Sequence, residues 1–256
     1  STPESVAEGG AQTRYYLEDM GCQMNRVDAE LVAGRLQHDG FRRVETTSEA
    51  DVVLYYTCSV REHAEDKVYG RLGALKRLKA ERPGLLVGVM GCMAQNHKDL
   101  IFERAPHVDL VVGTNRFEDV VTLLTEAREG RRVLAVDEKE LSFERDIDVR
   151  PKRHQAFLTA MRGCDKFCTF CIVPFTQGRE RSRPLDDLVD EGKRLADDGV
   201  VEDPRVASGE LPGHEKRRPV DVGHEFGKGV IVQHVQAGTC WRRSPVVRPI
   251  RAEALG

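Results

Sequence analysis

The sequence lacks long hydrophobic runs, is poor in aromatic residues and carries little excess charge of either sign. No apolar run reaches the roughly 18 residues that a membrane-spanning helix needs, so we predict no membrane association. The formal net charge is only -3, so any nucleic-acid site must be a local basic patch. The polar opening STPESVAEGGAQ lacks the basic and apolar segments of a signal peptide. We therefore predict a cytoplasmic protein.

Cysteine is present in a number and arrangement that need an explanation in a reducing cytoplasm. There, seven cysteines are more typical of ligands or catalysts than of disulfides. Cys164, Cys168 and Cys171 follow the spacing C-x3-C-x2-C within one short segment. Clustered thiolates hold either iron–sulfur clusters or zinc. Structural zinc needs four ligands, and Cys240 is a remote candidate for the fourth. The three thiolates favour a tetranuclear cluster with one open iron, and zinc remains the alternative.

The first half of the chain alternates apolar runs with helix-like segments. Asn25 and Asn115 are candidate N-caps of two of the helices. Repetition of strand and helix predicts an α/β fold with a doubly wound parallel sheet. The runs that predict strands are RYYLEDMGC, ADVVLYYTC, LLVGVMGC, VDLVVG and RRVLAVD.

Three further cysteines each follow one of the predicted strands. Cys22, Cys58 and Cys92 come at the ends of the first three apolar runs. The carboxyl ends of parallel strands meet at one edge of a sheet, which is where open α/β folds bind ligands. Gly21 and Gly91 precede two of these cysteines and favour a close approach of backbone to a bulky cofactor. The sequence therefore predicts a second thiol site at this edge.

Several motifs, taken together, resemble those of radical S-adenosylmethionine methylthiotransferases. The C-x3-C-x2-C spacing with Phe170 before the last cysteine is similar to the signature of radical S-adenosylmethionine enzymes. The glutamine and methionine of GCQMN and the VRE after Cys58 resemble the MiaB branch, which modifies tRNA. The resemblance covers about residues 14–200. The motifs that carry it are GCQMN, TCSVRE, GCMAQ and GCDKFCTFCIVPFTQGRERSRP.

The resemblance implies a fold, two cofactors and their ligands. It implies an N-terminal doubly wound parallel-sheet methylthiotransferase domain, followed by the start of a radical-SAM partial (β/α) barrel. It also implies two [4Fe–4S] clusters, and S-adenosyl-L-methionine bound at an open iron. Phe170 would form a flat wall beside the adenine of that cofactor. The implied cluster ligands are Cys22, Cys58 and Cys92 for one cluster and Cys164, Cys168 and Cys171 for the other.

The implied activity is the addition of a methylthio group to the adenine C2 of N6-isopentenyladenosine beside the tRNA anticodon. One cluster would reduce the sulfonium of S-adenosylmethionine, with an electron donor such as flavodoxin or ferredoxin, and the other would deliver sulfur.

The segment after the cysteine loop carries arginine at alternate positions, namely Arg179, Arg181 and Arg183. In an extended segment these side chains would point one way, toward a phosphate or the cofactor carboxylate.

Other functions remain open within and outside this family. A relative could act on threonylcarbamoyl-adenosine in tRNA or on a ribosomal-protein aspartate, although GCQMN and VRE speak against both. A non-catalytic α/β module with an iron–sulfur or zinc site is the alternative from another class.

Two residues depart from the family pattern. Tyr56 stands where asparagine is usual, and Gln177 stands where arginine is common.

The expected domain boundaries leave the last part of the chain unexplained. Residues 201–256 keep neither strand nor helix periodicity and contain 5 Pro and 7 Gly. We expect that the chain is truncated or frameshifted after about residue 200, and comparison of the gene's reading frames would test this. We also expect that the chain holds its clusters but methylthiolates tRNA at an undetectable rate. The expected segments are a disordered N-terminus 1–13, an N-terminal domain 14–137, a linker 138–152, the beginning of a radical-SAM domain 153–200 and a non-native or disordered tail 201–256.

Replacing Cys164, Cys168 and Cys171 together by alanine should halve the iron bound after anaerobic reconstitution, because each triplet is expected to hold its own cluster. Colorimetric iron analysis of the parent and the variant measures this. Loss of all iron, or of none, would contradict the assignment of two separate sites.

Overall fold

A computed structural model describes residues 12–21, 23–59, 62–139, 156–197 and 230–233. Its strands are β1 (Arg14–Asp19), β2 (Arg42–Arg43), β3 (Val52–Thr57), β4 (Leu86–Gly91), β5 (Leu110–Val112), β6 (Val133–Ala135), β7 (Ala156–Thr159), β8 (Met161–Arg162), β9 (Arg181–Ser182) and β10 (Val230–Gln233). Its α-helices are α1 (Gln23–His38), α2 (Glu62–Glu81), α3 (Cys92–His97), α4 (Leu100–Arg104), α5 (Val120–Arg128), α6 (Val173–Gln177) and α7 (Leu185–Asp197). No helix in these ranges is long and apolar enough to cross a membrane.

The first six strands form one parallel sheet, in the order β2-β1-β3-β4-β5-β6. This order is that of a doubly wound sheet whose direction of winding reverses between β1 and β3. The prediction of an α/β fold with a doubly wound parallel sheet is therefore confirmed. The central strand β3, VVLYYT, is buried along its whole length, as expected for a strand covered on both faces.

The two faces of the sheet bury separate hydrophobic cores, because successive side chains of a strand point to opposite faces. Val52, Leu54 and Tyr56 pack with residues of α1 and α5. Val53 and Tyr55 pack on the other side with residues of α2, α3 and α4. Burial of each such aliphatic side chain contributes about 1.5–3 kcal/mol. The carboxyl edge is thereby held between two layers of helices.

The described residues from Ala156 onward form a smaller set of elements than the six-stranded sheet. Helix α7 packs on β7 through Ala156, Leu158 and Leu195, while β8 pairs antiparallel with β9. Strand β10, which falls in the segment predicted to be a non-native tail, pairs parallel with β7. A radical-SAM barrel is not visible in the described ranges. The rest of that tail, and most of the predicted N-terminal and linker segments, lie outside the described residues.

Asn25 is not the N-cap that the sequence predicts. Helix α1 begins at Gln23, so Asn25 lies inside its first turn. The buried side-chain amide of Asn25 donates a hydrogen bond to the Thr57 carbonyl oxygen at 2.6 Å. The cap prediction is wrong because α1 begins two residues before Asn25, and the side chain of Asn25 is turned toward β3.

Gly91 lets β3 and β4 meet closely at the carboxyl edge. Its φ of 91° and ψ of -154° lie in a region that is essentially restricted to glycine. A β-carbon there would lie 2.6 Å from the Thr57 carbonyl oxygen and 2.8 Å from the Tyr56 ring. The close approach that the sequence suggests thus involves the neighbouring strand.

Gly91→Ala should lower the free energy of unfolding by at least about 2 kcal/mol. The added β-carbon would strain the backbone at this φ and would also collide with the Thr57 carbonyl oxygen, which cannot move aside. Denaturant unfolding of the cluster-free protein measures the loss. Gly73→Ala is the matched control, since Gly73 is an exposed position of α2 where an added β-carbon would have no neighbour within 4 Å. That change should stabilise the helix by about 0.4–1 kcal/mol. Equal midpoints for Gly91→Ala and the parent would contradict the strain at Gly91.

Candidate functional site

Cys58 and Cys92 lie side by side at the carboxyl edge of the sheet. Thr57 at the end of β3 is the register partner of Gly91 at the end of β4, and each cysteine is the next residue along the chain. Both cysteines are buried. On the other side of β3, the Met20 amide donates to the Tyr56 carbonyl oxygen at 2.9 Å, so the chain leaving β1 runs beside β3. This is the point at which the winding of the sheet reverses, the usual ligand position in such folds.

Cys22, the third cysteine predicted at this edge, lies outside the described residues, as does Cys240. The chain enters that segment from Gly21, directly after the part of β1 that borders β3. The described residues therefore contain two of the three predicted ligands of this site.

The second cysteine set lies in a loop that closes on itself after β8. The Cys164 amide donates to the Gly178 carbonyl oxygen at 3.2 Å, and the Cys171 amide donates to the Cys168 carbonyl oxygen at 2.9 Å. Phe167 has a φ of 45°, in the left-handed region that side chains rarely adopt. Cys164 is buried, whereas Cys168 and Cys171 are half-buried. The loop is thus anchored at its two ends and open to solvent in the middle.

The chemistry of these donors fits an iron–sulfur cluster. The described ranges contain five cysteines, two at the sheet edge and three in the loop. Soft sulfur ligands suit iron–sulfur clusters. No three His, Cys, Asp or Glu side chains in those ranges are grouped so as to hold a single metal ion. In a tetranuclear cluster each thiolate binds its own iron, so its ligands need not converge on one point. The ligand roles remain predictions.

A buried chain of polar contacts joins the two cysteine-bearing parts. Tyr56 donates its hydroxyl to Asp28 Oδ2 at 2.9 Å. Asp28 Oδ2 also forms an ion pair with Arg162 Nη2, and only 6% and 4% of the two side chains are exposed. Arg162 Nη2 lies 3.4 Å from Gln177 Oε1, and Gln177 Nε2 donates to Cys92 Sγ at 3.1 Å. We call these five residues the interface network.

The interface network carries one positive and one negative charge. Burial is the largest single effect and lowers the pKa of Arg162, but the charge and hydrogen bond of Asp28, together with Tyr56 and Cys92, outweigh it and the pKa is raised. Burial, and then the neighbouring Asp28 carboxylate, raise the pKa of Tyr56 well above its usual value. The Arg162 guanidinium also lies 5.3 Å from the centre of the Phe117 ring. Tyr56 therefore acts as a neutral donor beside a buried ion pair.

Arg179, Arg181 and Arg183 bind three different partners. Arg183 forms a buried ion pair with Glu191 on α7 at 2.5 Å. Arg181 Nη2 donates to Asn115 Oδ1 at 3.0 Å, across to the first part of the chain. Arg179 Nε forms an ion pair with Asp165 Oδ1 at 3.0 Å, and the side chain of Arg179 is 73% exposed. Contact with a substrate stays a prediction for all three, and Arg179 is the one whose charge is most accessible.

Exposed aromatic rings surround the cysteine loop. Phe170, the predicted wall beside a cofactor adenine, is 74% exposed. Phe167 and Phe175 are also exposed and meet edge to face, with ring centres 6.0 Å apart. The guanidinium of Arg179 lies 5.9 Å from the centre of the Phe167 ring. The sequence interpretation missed Phe167 and Phe175, although both lie within the motif that contains the loop cysteines. The adenine contact of Phe170 stays a prediction.

Comparison with known proteins identifies relatives over most of the chain. The family model described as "Uncharacterized protein family UPF0004" matches residues 14–113. A tRNA-2-methylthio-N(6)-dimethylallyladenosine synthase of Dictyoglomus thermophilum is 42% identical over 193 residues, which are 74% of this chain and 43% of the relative. The chain belongs to the methylthiotransferase family.

Two further methylthiotransferases agree with this assignment. Synthases of the same name from Sulfurihydrogenibium sp. and Rhodopirellula baltica are 43% and 44% identical over 193 and 202 residues. These alignments cover 74% and 73% of this chain, and 44% and 42% of the relatives. The chain thus spans less than half the length of the curated relatives that it matches.

Asp28→Ala should lower the free energy of unfolding by about 3–5 kcal/mol, because it leaves the Arg162 guanidinium buried without a counter-ion. Denaturant unfolding measures the loss, and the double variant Asp28→Ala/Arg162→Met should recover part of it. Glu81→Ala is the control, because it breaks the exposed Arg77–Glu81 pair and should change stability little. An Asp28→Ala protein as stable as the Glu81→Ala protein would contradict a structural role for the buried pair.

Proposed function

We propose that the chain takes part in tRNA methylthiolation by radical S-adenosylmethionine chemistry, with N6-isopentenyladenosine beside the anticodon as the modified nucleoside. The names of the relatives support both the reaction and the nucleoside. The structural observation that supports it most is the contact between the two cysteine-bearing parts. Gln177, on the helix after the cysteine loop, donates to Cys92 Sγ at 3.1 Å.

In this proposal each cysteine set holds one [4Fe–4S] cluster. Cys22, Cys58 and Cys92 would bind the first, and the second would be bound by the loop cysteines. When bound, the clusters would supply the electron that cleaves S-adenosylmethionine and the sulfur that is transferred. The chain's own part is to keep the two sites adjacent. The sheet edge fixes Cys58 and Cys92, and the Asp28–Arg162 ion pair fixes the strand that leads into the loop.

The exposed middle of the loop is where cofactor and RNA would bind. The open face of Phe170 can stack on an adenine ring, because every nucleobase presents a π face to an aromatic side chain. Arg179, which lies against the Phe167 ring and is paired with Asp165, supplies a largely exposed cation in the same loop region, suited to a phosphate or a carboxylate. A tRNA carrying isopentenyladenosine, and a donor such as flavodoxin or ferredoxin, would approach from this side.

Reconstitution under anaerobic conditions tests the chemistry. The chain should bind about eight irons and release 5′-deoxyadenosine from S-adenosylmethionine on reduction. The variant without the three loop cysteines should keep about half of the iron and lose that release. One bound zinc per chain without cleavage would contradict the proposal and support a non-catalytic module.

Mass spectrometry of nucleosides tests the substrate. Methylthio product on isopentenylated tRNA, and none on unmodified tRNA, would support the assignment. Product only on tRNA with threonylcarbamoyl-adenosine would overturn it. Cleavage of S-adenosylmethionine without any tRNA product would support the radical chemistry and contradict tRNA methylthiolation by this chain.

A further inference from the structure

Gln177 has a fixed orientation between a cation and a thiol. It is the last residue of α6, and only 2% of it is exposed. The guanidinium of Arg162 can only donate hydrogen bonds, so it must face the amide oxygen of Gln177. The amide nitrogen is therefore the atom that faces Cys92 Sγ, at 3.1 Å. Asp28 holds Arg162 in place, and Arg162 in turn holds the amide oxygen of Gln177. These contacts direct the amide N–H group of Gln177 toward the Cys92 sulfur.

We infer that Gln177 is a positioning residue that sets the reduction potential of the cluster proposed at the sheet edge, through its hydrogen bond to Cys92. This inference rests on the proposed function. Hydrogen bonds to ligand sulfurs are among the factors that set the potential of an iron–sulfur cluster. Reduction adds negative charge, and a donor beside a negatively charged sulfur stabilises that form. The amide of Gln177 therefore raises the potential.

Burial strengthens the hydrogen bond between Gln177 and Cys92. Gln177, Cys92, Arg162 and Asp28 are all buried, and a low local dielectric strengthens each hydrogen bond between them. Gln177 also follows the loop of the second cysteine set, so the donor to one thiol site is delivered by the segment that carries the other. The potential of the first cluster thus depends on the correct docking of the loop.

The test uses the full chain with Cys164, Cys168 and Cys171 replaced by alanine, so that only the first cluster contributes to the spectrum. In this background Gln177→Met removes the N–H donor at nearly constant side-chain length. Gln177→Glu also removes it, keeps the shape and adds a carboxylate. Gln95→Met is the matched control, because Gln95 lies on the same helix as Cys92 but donates to the Val136 carbonyl oxygen. Iron content and the midpoint potential from an anaerobic spectroelectrochemical titration are measured for all.

We expect Gln177→Met to bind as much iron as its parent and to have an equilibrium constant for one-electron reduction about tenfold smaller, a midpoint about 59 mV lower. Gln177→Glu should lower the midpoint further, because its charge opposes reduction, and Gln95→Met should leave it unchanged. Normal iron content with unchanged midpoints in both Gln177 variants would overturn the inference and leave the proposed function intact. Absence of iron from the parent would overturn the cluster assignment itself, and the inference with it.

Discussion

The buried ion pair between Asp28 and Arg162 is the interaction on which the arrangement of the candidate site depends. Asp28 belongs to α1, which packs on the sheet, and Arg162 is the last residue of β8, two positions before Cys164. Removing both charges from water is costly, and the pair compensates only while its geometry is kept. It therefore favours one docking of the cysteine loop against the sheet edge over nearby alternatives. Both hydrogen-bond neighbours of the pair lead on toward cysteines of that edge, through Tyr56 and Gln177.

The sheet supplies the other half of the arrangement. Its order brings the ends of β1, β3 and β4 next to one another, so that one residue per strand is enough to build a site. The loop set is different, since its spacing is local and its shape comes from main-chain hydrogen bonds at its two ends. One thiol set is thus defined by tertiary structure and the other by sequence spacing. The interface network is what makes them neighbours.

The sequence predicted the features that rest on local patterns and failed at those that rest on distant partners. Apolar and aromatic runs located β1, β3 and β4, and the strand ends located Cys58 and Cys92. Both N-cap predictions are wrong, since Asn25 bonds to Thr57 and no side chain caps α5 while Asn115 accepts from Arg181. The sequence contains a signal for the role of Asp28 that the sequence interpretation missed. It stands four residues before Val32 on the buried stripe of α1, where an acid needs a partner.

The two residues that depart from the family pattern, Tyr56 and Gln177, both belong to the interface network, which gives them a common physical explanation. The resemblance places asparagine and arginine at these positions. An arginine at 177 would add a second buried cation to a site whose paired acid is Asp28, whereas glutamine keeps the charge balanced. Tyr56 adds a neutral donor to the same carboxylate oxygen that binds Arg162. The two departures therefore act on one ion pair from opposite ends, and their effects should not be independent. They change how the cysteine loop is held while every cysteine of that loop is retained.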